Sequence, residues 1–186
     1  MFQAGYLTIK KQIIDKRKRI KYVLDYPNYE VKTSFYDYLL TLMVNVADKT
    51  LISDDLYDIL EDVNLDQLEN LIKRIFASIA YNNFTKNNLQ NYEGFYASVL
   101  YAYFAALGIE MTAEDVTNQG RIDLTLKLND KIYIFEFKIN KEHPLKEVKE
   151  KRYFEKYLSE GDVYIIGIVF DKKQRNIGQF EWEKVS

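Results

Sequence analysis

Gly120-Arg121-Ile122-Asp123-Leu124, followed after a short polar gap by Ile134-Phe135-Glu136-Phe137-Lys138, is the stretch whose reading decides the fold. The gap, Leu128-Asn129-Asp130-Lys131, is polar at its centre, so the segment reads as a β-hairpin. One strand carries an Asp and the next carries Glu-x-Lys. Side chains alternate along a strand, so Ile134, Glu136 and Lys138 share one face, while Tyr133, Phe135 and Phe137 share the other. A solvent-facing ladder of ion pairs is one account of such charges. Apolar neighbours on both faces argue for covered strands, and a covered face seldom holds three charges. Burying two carboxylates and a lysine without partners is costly, and a divalent metal held by the carboxylates would offset that cost.

Outward from the hairpin, the pattern predicts strands at about 121–128 and 131–139, a helix over 144–159, and strands at 163–170 and 176–183. Residues 163–170, Val-Tyr-Ile-Ile-Gly-Ile-Val-Phe, are apolar on both faces, as in a central covered strand. Upstream, Phe95, Val99, Ala102, Tyr103 and Ala106 form a helical stripe from about Tyr92 to Leu107, which Gly108 stops. Residues 82–91 are polar and Asn-rich, a linker. Leu65, Leu68, Leu71, Ile72, Ile75, Phe76 and Ile79 mark a helix opened by Asn64 or Asp66. Ser53-Asp54-Asp55 suggests the cap of a short helix. Phe35, Leu39, Leu42, Met43 and Val46 mark another, capped near Thr33-Ser34. Residues 4–10 and 20–26 are β-rich, joined by a basic connection. The fold class is α/β, a mixed central sheet flanked by helices, with an N-terminal β-hairpin and a helical segment. The division expected is 1–33, 34–90 and 91–186.

Composition narrows the chemistry. The 186 residues include no Cys and one His, His143, which excludes thiolate zinc sites, disulfides and Cys nucleophiles and argues against a Ser–His triad. His143, before Pro144 at a helix start, reads as a surface residue. No apolar run approaches the roughly 18 residues of a membrane span, and no signal peptide opens the chain, so a soluble, cytoplasmic protein without membrane contact is expected. Net charge is only −2 but uneven. Residues 10–21 hold seven Lys/Arg against one acid, a solvated hairpin tip or a nucleic-acid contact. Residues 48–69 hold eight acids against one base, a solvated helix face.

Asp123 with Glu136-x-Lys138 on consecutive strands resembles the PD-(D/E)XK nuclease superfamily, which has a restriction-endonuclease-like core, over about residues 91–186. The resemblance extends to one branch, the C-terminal nuclease-like domain of a prokaryotic AAA-ATPase-like family. That branch shares Gly5-Tyr6-Leu7-Thr8-Ile9, Tyr26-Pro27-Asn28-x-Glu30-Val31 and Gly120-Arg121-x-Asp123-Leu124. The resemblance implies a companion acid from the preceding helix, Glu93, and the Phe137 carbonyl as a further metal ligand. It also implies an ATPase domain in cis or trans. No Gly-x-x-x-x-Gly-Lys-Ser/Thr phosphate loop is present, so the chain reads as the C-terminal portion of a longer protein or as a homologue lacking the motor. Residues 1–31 then read as the tail of an ATPase or winged-helix module. Where the branch has Gln in the helix after the lysine, Glu147 stands here, with Tyr153 and Tyr157 beyond it.

The chemistry follows from the residue types. Hydrolysis of a phosphodiester needs an activated water and neutralised charge, which magnesium (or manganese) on Asp123 and Glu136 supplies. Lys138 would orient or deprotonate the water, or stabilise the transition state, and a nearby metal in a partly dry site would lower its proton affinity. Arg121 is a phosphate contact or an ion-pair partner. Glu147 adds charge at the metal or faces solvent. The charges of 142–160, including Glu142, read as an ion-paired surface. The function expected is a divalent-metal-dependent nuclease, with DNA favoured as substrate. Alternatives are a catalytically inactive nuclease-fold module for nucleic-acid or protein binding, and an interaction domain whose helices over 35–81 pack on a partner. A homo-oligomer fits any of these.

Overall fold

The computed structural model describes residues 4–42, 46–79, 93–140 and 143–185, with the side chains of 46–50 outside that description. The expectations for Met43, the Val46 side chain, the linker at 82–91, Tyr92 and Glu142 fall outside it too. The chain runs β1 (Thr8–Ile14), β2 (Ile20–Asp25), α1 (Tyr29–Thr41), α2 (Val46–Glu61), α3 (Leu65–Ser78), α4 (Glu93–Ala106), β3 (Glu110–Val116), β4 (Arg121–Leu128), β5 (Lys131–Ile139), α5 (Pro144–Glu150), a 3-10 helix (Tyr153–Tyr157), β6 (Asp162–Asp171) and β7 (Asn176–Lys184). Five strands form one mixed sheet in the order β3-β4-β5-β6-β7, and β1-β2 form a separate antiparallel hairpin. Only β5 and β6 are parallel, from Lys131↔Asp162 to Ile139↔Phe170. Parallel neighbours need a crossover, and α5 with the 3-10 helix supplies it.

Three layers result. On one face of the sheet, α2, α3 and α4 bury Leu56, Leu60, Leu68, Ile72, Phe76, Tyr96 and Phe104 against Leu124, Leu126, Phe135, Phe137, Ile168 and Phe170. Tyr96 stacks on Phe170 with ring centroids 4.2 Å apart. On the other face, Ile122, Ile132, Ile134, Val163 and Ile165 pack against Val148, Tyr153 and Tyr157. β5 and β6 are therefore covered on both sides, which explains their unbroken apolar runs. The architecture is the α/β one expected and is consistent with a restriction-endonuclease-like core. No described helix is long and apolar enough to cross a membrane.

Several local expectations are corrected. α1 starts at Tyr29 rather than after Thr33-Ser34, because the Asn28 side chain accepts from Val31 N–H at 2.9 Å and caps it there. Ser53-Asp54-Asp55 lies inside α2 rather than at a helix start. Asn64 does cap α3. Gly108, at φ +73°, ends α4, with Ile109 N–H reaching back to the Phe104 carbonyl. The helix expected over 144–159 is two pieces, broken where Arg152 adopts a left-handed φ of 49°. β3 was not expected at all.

Candidate active site

Asp123 lies where the regular sheet breaks. β3 and β4 pair at Ala113↔Leu124 and again at Asp115↔Ile122, leaving Glu114 and Asp123 between those pairs outside the ladder. The β4–β5 ladder likewise runs from Leu128↔Lys131 only as far as Leu124↔Phe135. Residues two apart in a regular strand share a face. Leu124 packs in the α4 layer, whereas Ile122 packs in the layer of α5 and the 3-10 helix. The strand therefore changes its facing across Asp123, and Glu114 opposite it takes a left-handed φ of 52°. In place of a ladder bond, the Asp123 carboxylate accepts the Phe137 N–H at 2.8 Å. That bond fixes Asp123 beside Glu136.

Glu136 points to the α5 face and is 2% exposed. Its Oε1 accepts from Lys138 Nζ at 2.8 Å, while its Oε2 is buried with no hydrogen-bond partner. The Lys138 ammonium also bridges to Glu147 Oε2 at 3.1 Å, and Glu147 Oε1 pairs with Lys151 at 2.5 Å. The result is a chain of alternating charges, Glu136–Lys138–Glu147–Lys151. Gly167, the β6 partner of Glu136, makes room for it: a Cβ there would stand 2.8 Å from the backbone nitrogen of Leu145 in α5. Only a glycine lets α5 lie this close over the sheet and deliver Glu147 to Lys138.

Burial, then the neighbouring Asp123 charge, pushes the Glu136 carboxyl up to about 7. Burial also raises Asp123, opposed by the Phe137 N–H and the charges of Lys138 and Arg121. Burial alone would lower Lys138, but its hydrogen bonds to Glu136 and Glu147 outweigh that and hold it above the ordinary lysine value. The lowered proton affinity expected of a lysine beside a metal is not what the metal-free site shows, where two carboxylates hold this ammonium charged.

The other expected site residues divide. Glu93, in the first turn of α4, and Arg121 share a cavity wall with Asp123 and Phe137, on the α4 side of the sheet. Glu136 and Lys138 are on the α5 side. Among the described residues, no group of three Asp, Glu, His or Cys side chains converges as a metal cluster. Arg121 pairs with Glu114 at 3.1 Å, both ends well exposed. Tyr153 turns away from the acids: its hydroxyl lies 2.6 Å from where a Gly120 Cβ would be, and Lys151 sits 5.5 Å over its ring. His143 is exposed and makes no side-chain cap. The surface of α5 and the 3-10 helix is ion-paired as expected, through Lys146–Glu150 and Arg152–Glu155 among others.

The donor set suits a hard cation. Two adjacent carboxylates, one with an oxygen lacking any partner, offer the one or two anionic ligands that magnesium takes while keeping its waters. Sequence reasoning missed Glu114 and Gly167. Gly167 is the sole glycine of an apolar eight-residue run, which is the signal of a close backbone approach.

Residues 91–180 match the family model of the PD-(D/E)XK nuclease superfamily. The whole chain is similar to an uncharacterized protein in the vnfD 5' region of Azotobacter chroococcum mcd 1, 39% identical over 192 residues, covering 100% of this chain and 37% of that protein. The chain thus spans little more than a third of the curated relative it matches. No solved structure matches significantly.

Proposed function

We propose that the chain is a divalent-metal-dependent nuclease that hydrolyses phosphodiester bonds, with DNA favoured, and that Asp123 and Glu136 hold the cation. The observation that carries this reading is the buried, partnerless Glu136 Oε2 beside Asp123 in a segment that matches a nuclease superfamily. Magnesium or manganese would supply charge neutralisation and a more acidic bound water. The Phe137 carbonyl is the further proposed ligand, and Glu93, on the α4 side, would hold a metal-bound water or a second ion rather than join the pair directly. Asp123, anchored by the Phe137 N–H, presents its other oxygen without loss of orientation. Lys138, paired with Glu136 and Glu147, would orient the attacking water or stabilise developing negative charge, and with a cation on the carboxylates it would be placed to take a proton from that water. Glu147 positions Lys138. Arg121, in an exposed pair with Glu114, would give up that weak pair for a phosphate. Tyr153 supports the Gly120–Arg121 turn. The division at 1–33, 34–90 and 91–186 and a cytoplasmic setting are parts of the same proposal, as is an ATPase domain in cis or trans, which the motifs at residues 5–9 and 26–31 support.

One observation favours a second reading, an inactive nuclease-fold module for nucleic-acid or protein binding. Lys138 already occupies one oxygen of Glu136, and among the described residues no third acid converges on the pair. Calorimetric titration with manganese separates the two. The nuclease reading predicts a bound ion whose affinity falls at least tenfold in Asp123→Asn and in Glu136→Gln. An unchanged isotherm in both variants, or no heat with the native chain, favours the module.

A further inference from the structure

A cavity of about 810 Å³ opens beside Asp123. It is lined from α1 by Tyr36 and Leu39, from α4 by Phe95 and Tyr101, and at the sheet by Arg121 and Asp123. Its volume is in the range of pockets that enclose whole small ligands, about 300–1,000 Å³. Its walls are unusual for a surface that meets a phosphate backbone. Three half-buried aromatic rings and aliphatic side chains form most of it, and its charged groups, Glu93, Glu114, Arg121 and Asp123, all lie on its lining. Tyr36 and Tyr101 meet edge to face at 5.7 Å on the cavity wall, and Tyr36 also packs against Tyr26 and Phe35, so the rings form a fixed aromatic corner.

We infer that this cavity receives an unpaired nucleobase next to the scissile phosphate, so that the substrate is single-stranded or locally unpaired nucleic acid. The inference rests on the nuclease reading for the chemistry at Asp123, but the binding itself does not require cleavage. An intact duplex keeps its bases stacked and shows only their edges in the grooves. An unpaired base shows two aromatic faces, and stacking on protein rings is worth about 1–3 kcal/mol per base, whatever the base. The base is uncharged, so acids along the wall do not repel it. Its phosphate would fall at the wall where Arg121 and Asp123 stand, the guanidinium releasing an exposed and weak pair with Glu114.

The test is a fluorescence titration in calcium buffer with a ten-nucleotide strand carrying 2-aminopurine, compared with the same strand in a duplex. The single strand is expected to bind at least tenfold tighter than the duplex, with 2-aminopurine quenched by stacking. Tyr36→Leu and Tyr101→Leu should each weaken binding about fivefold to a hundredfold, the fold-change that corresponds to one lost stack. Ala97→Phe, which fills the cavity from α4, should weaken it similarly, and it keeps the test decisive if a tyrosine variant does not fold. Equal or tighter binding of the duplex, or unchanged binding by the folded variants, overturns the inference and leaves the nuclease reading intact. Cavity-dependent single-strand binding without cleavage in magnesium or manganese supports the inference and removes the nuclease reading.

Discussion

Glu136 is the residue on which the site turns. An unpartnered buried oxygen costs about 1–3 kcal/mol in the metal-free chain, and here it sits beside a second carboxylate. The pH dependence follows with a definite sign. Its folded carboxyl titrates near 7 against an ordinary value of 4.5. Between those values the folded protein keeps a proton that the unfolded chain releases. This contribution to stability is full below the unfolded value and is lost as pH rises through the folded one. The melting temperature in EDTA should therefore decline between about pH 5 and pH 8, and Glu136→Gln should flatten the decline. A slope identical in the two proteins would show that Glu136 ionises normally. Asp115 has the opposite sign. Burial would raise it, but hydrogen bonds from Lys156, Tyr157 and Thr125 outweigh burial and depress it. Its contribution is present above the ordinary carboxylate range and is lost as pH falls through it. Asp115→Ala should remove about 2–3 kcal/mol at neutral pH, measured by urea unfolding, because it leaves Tyr157 and Thr125 hydroxyls without their buried acceptor.

Among the elements, α5 is the one that delivers function through packing. It lies over Glu136 because Gly167 has no side chain. A Gly167→Ala methyl would meet backbone rather than a flexible tip, so α5 must move outward. A loss of about 1–3 kcal/mol is expected, together with a shift of the Glu147 and Lys138 NMR resonances. An unchanged stability would mean that α5 is loosely seated. α3 was legible because burial gives it a one-sided helical period, and β5 and β6 because burial on both faces makes them continuous apolar runs bounded by polar turns. β3 was not, since it is an edge strand: of Glu110-Met111-Thr112-Ala113-Glu114-Asp115-Val116, only Asp115 is buried, so no apolar alternation marks it. The break after α5 was hidden for a different reason. The alternating charges of 146–156 continue a helical pattern through Arg152, while Tyr153 and Tyr157 must turn under the sheet to reach Ile122 and Ile165.

At the scale of the whole molecule, two parts differ in how they are held. The five-stranded sheet is enclosed between helical layers, whereas β1 and β2 leave Ile9, Ile13, Ile14, Ile20 and Tyr22 exposed. Aromatic contacts of Tyr6 and Tyr26 with Phe35 tie the hairpin to α1. A two-stranded hairpin alone is marginal in water, so its amides should exchange with solvent orders of magnitude faster than those of β6. Equal protection in native-state exchange would show that a partner surface covers the hairpin. The basic run is spread along this hairpin, and its one acid, Asp15, pairs with Arg19. The carboxylate pair was legible because an Asp and a Glu-x-Lys stand on covered strands. The facing change at Asp123 and the aromatic cavity were not: the first depends on the irregular pairing of Glu114 and Asp123 between β3 and the next strand, and the second forms where α1 packs on α4, far apart in sequence. The account is tested most directly by the cleavage of end-labelled DNA in magnesium or manganese, single-stranded and duplex, by the native chain and by folded Asp123→Ala. The account predicts fragments from the native chain and at least a thousandfold slower cleavage by the variant. Equal rates, or intact DNA with both proteins, would contradict it.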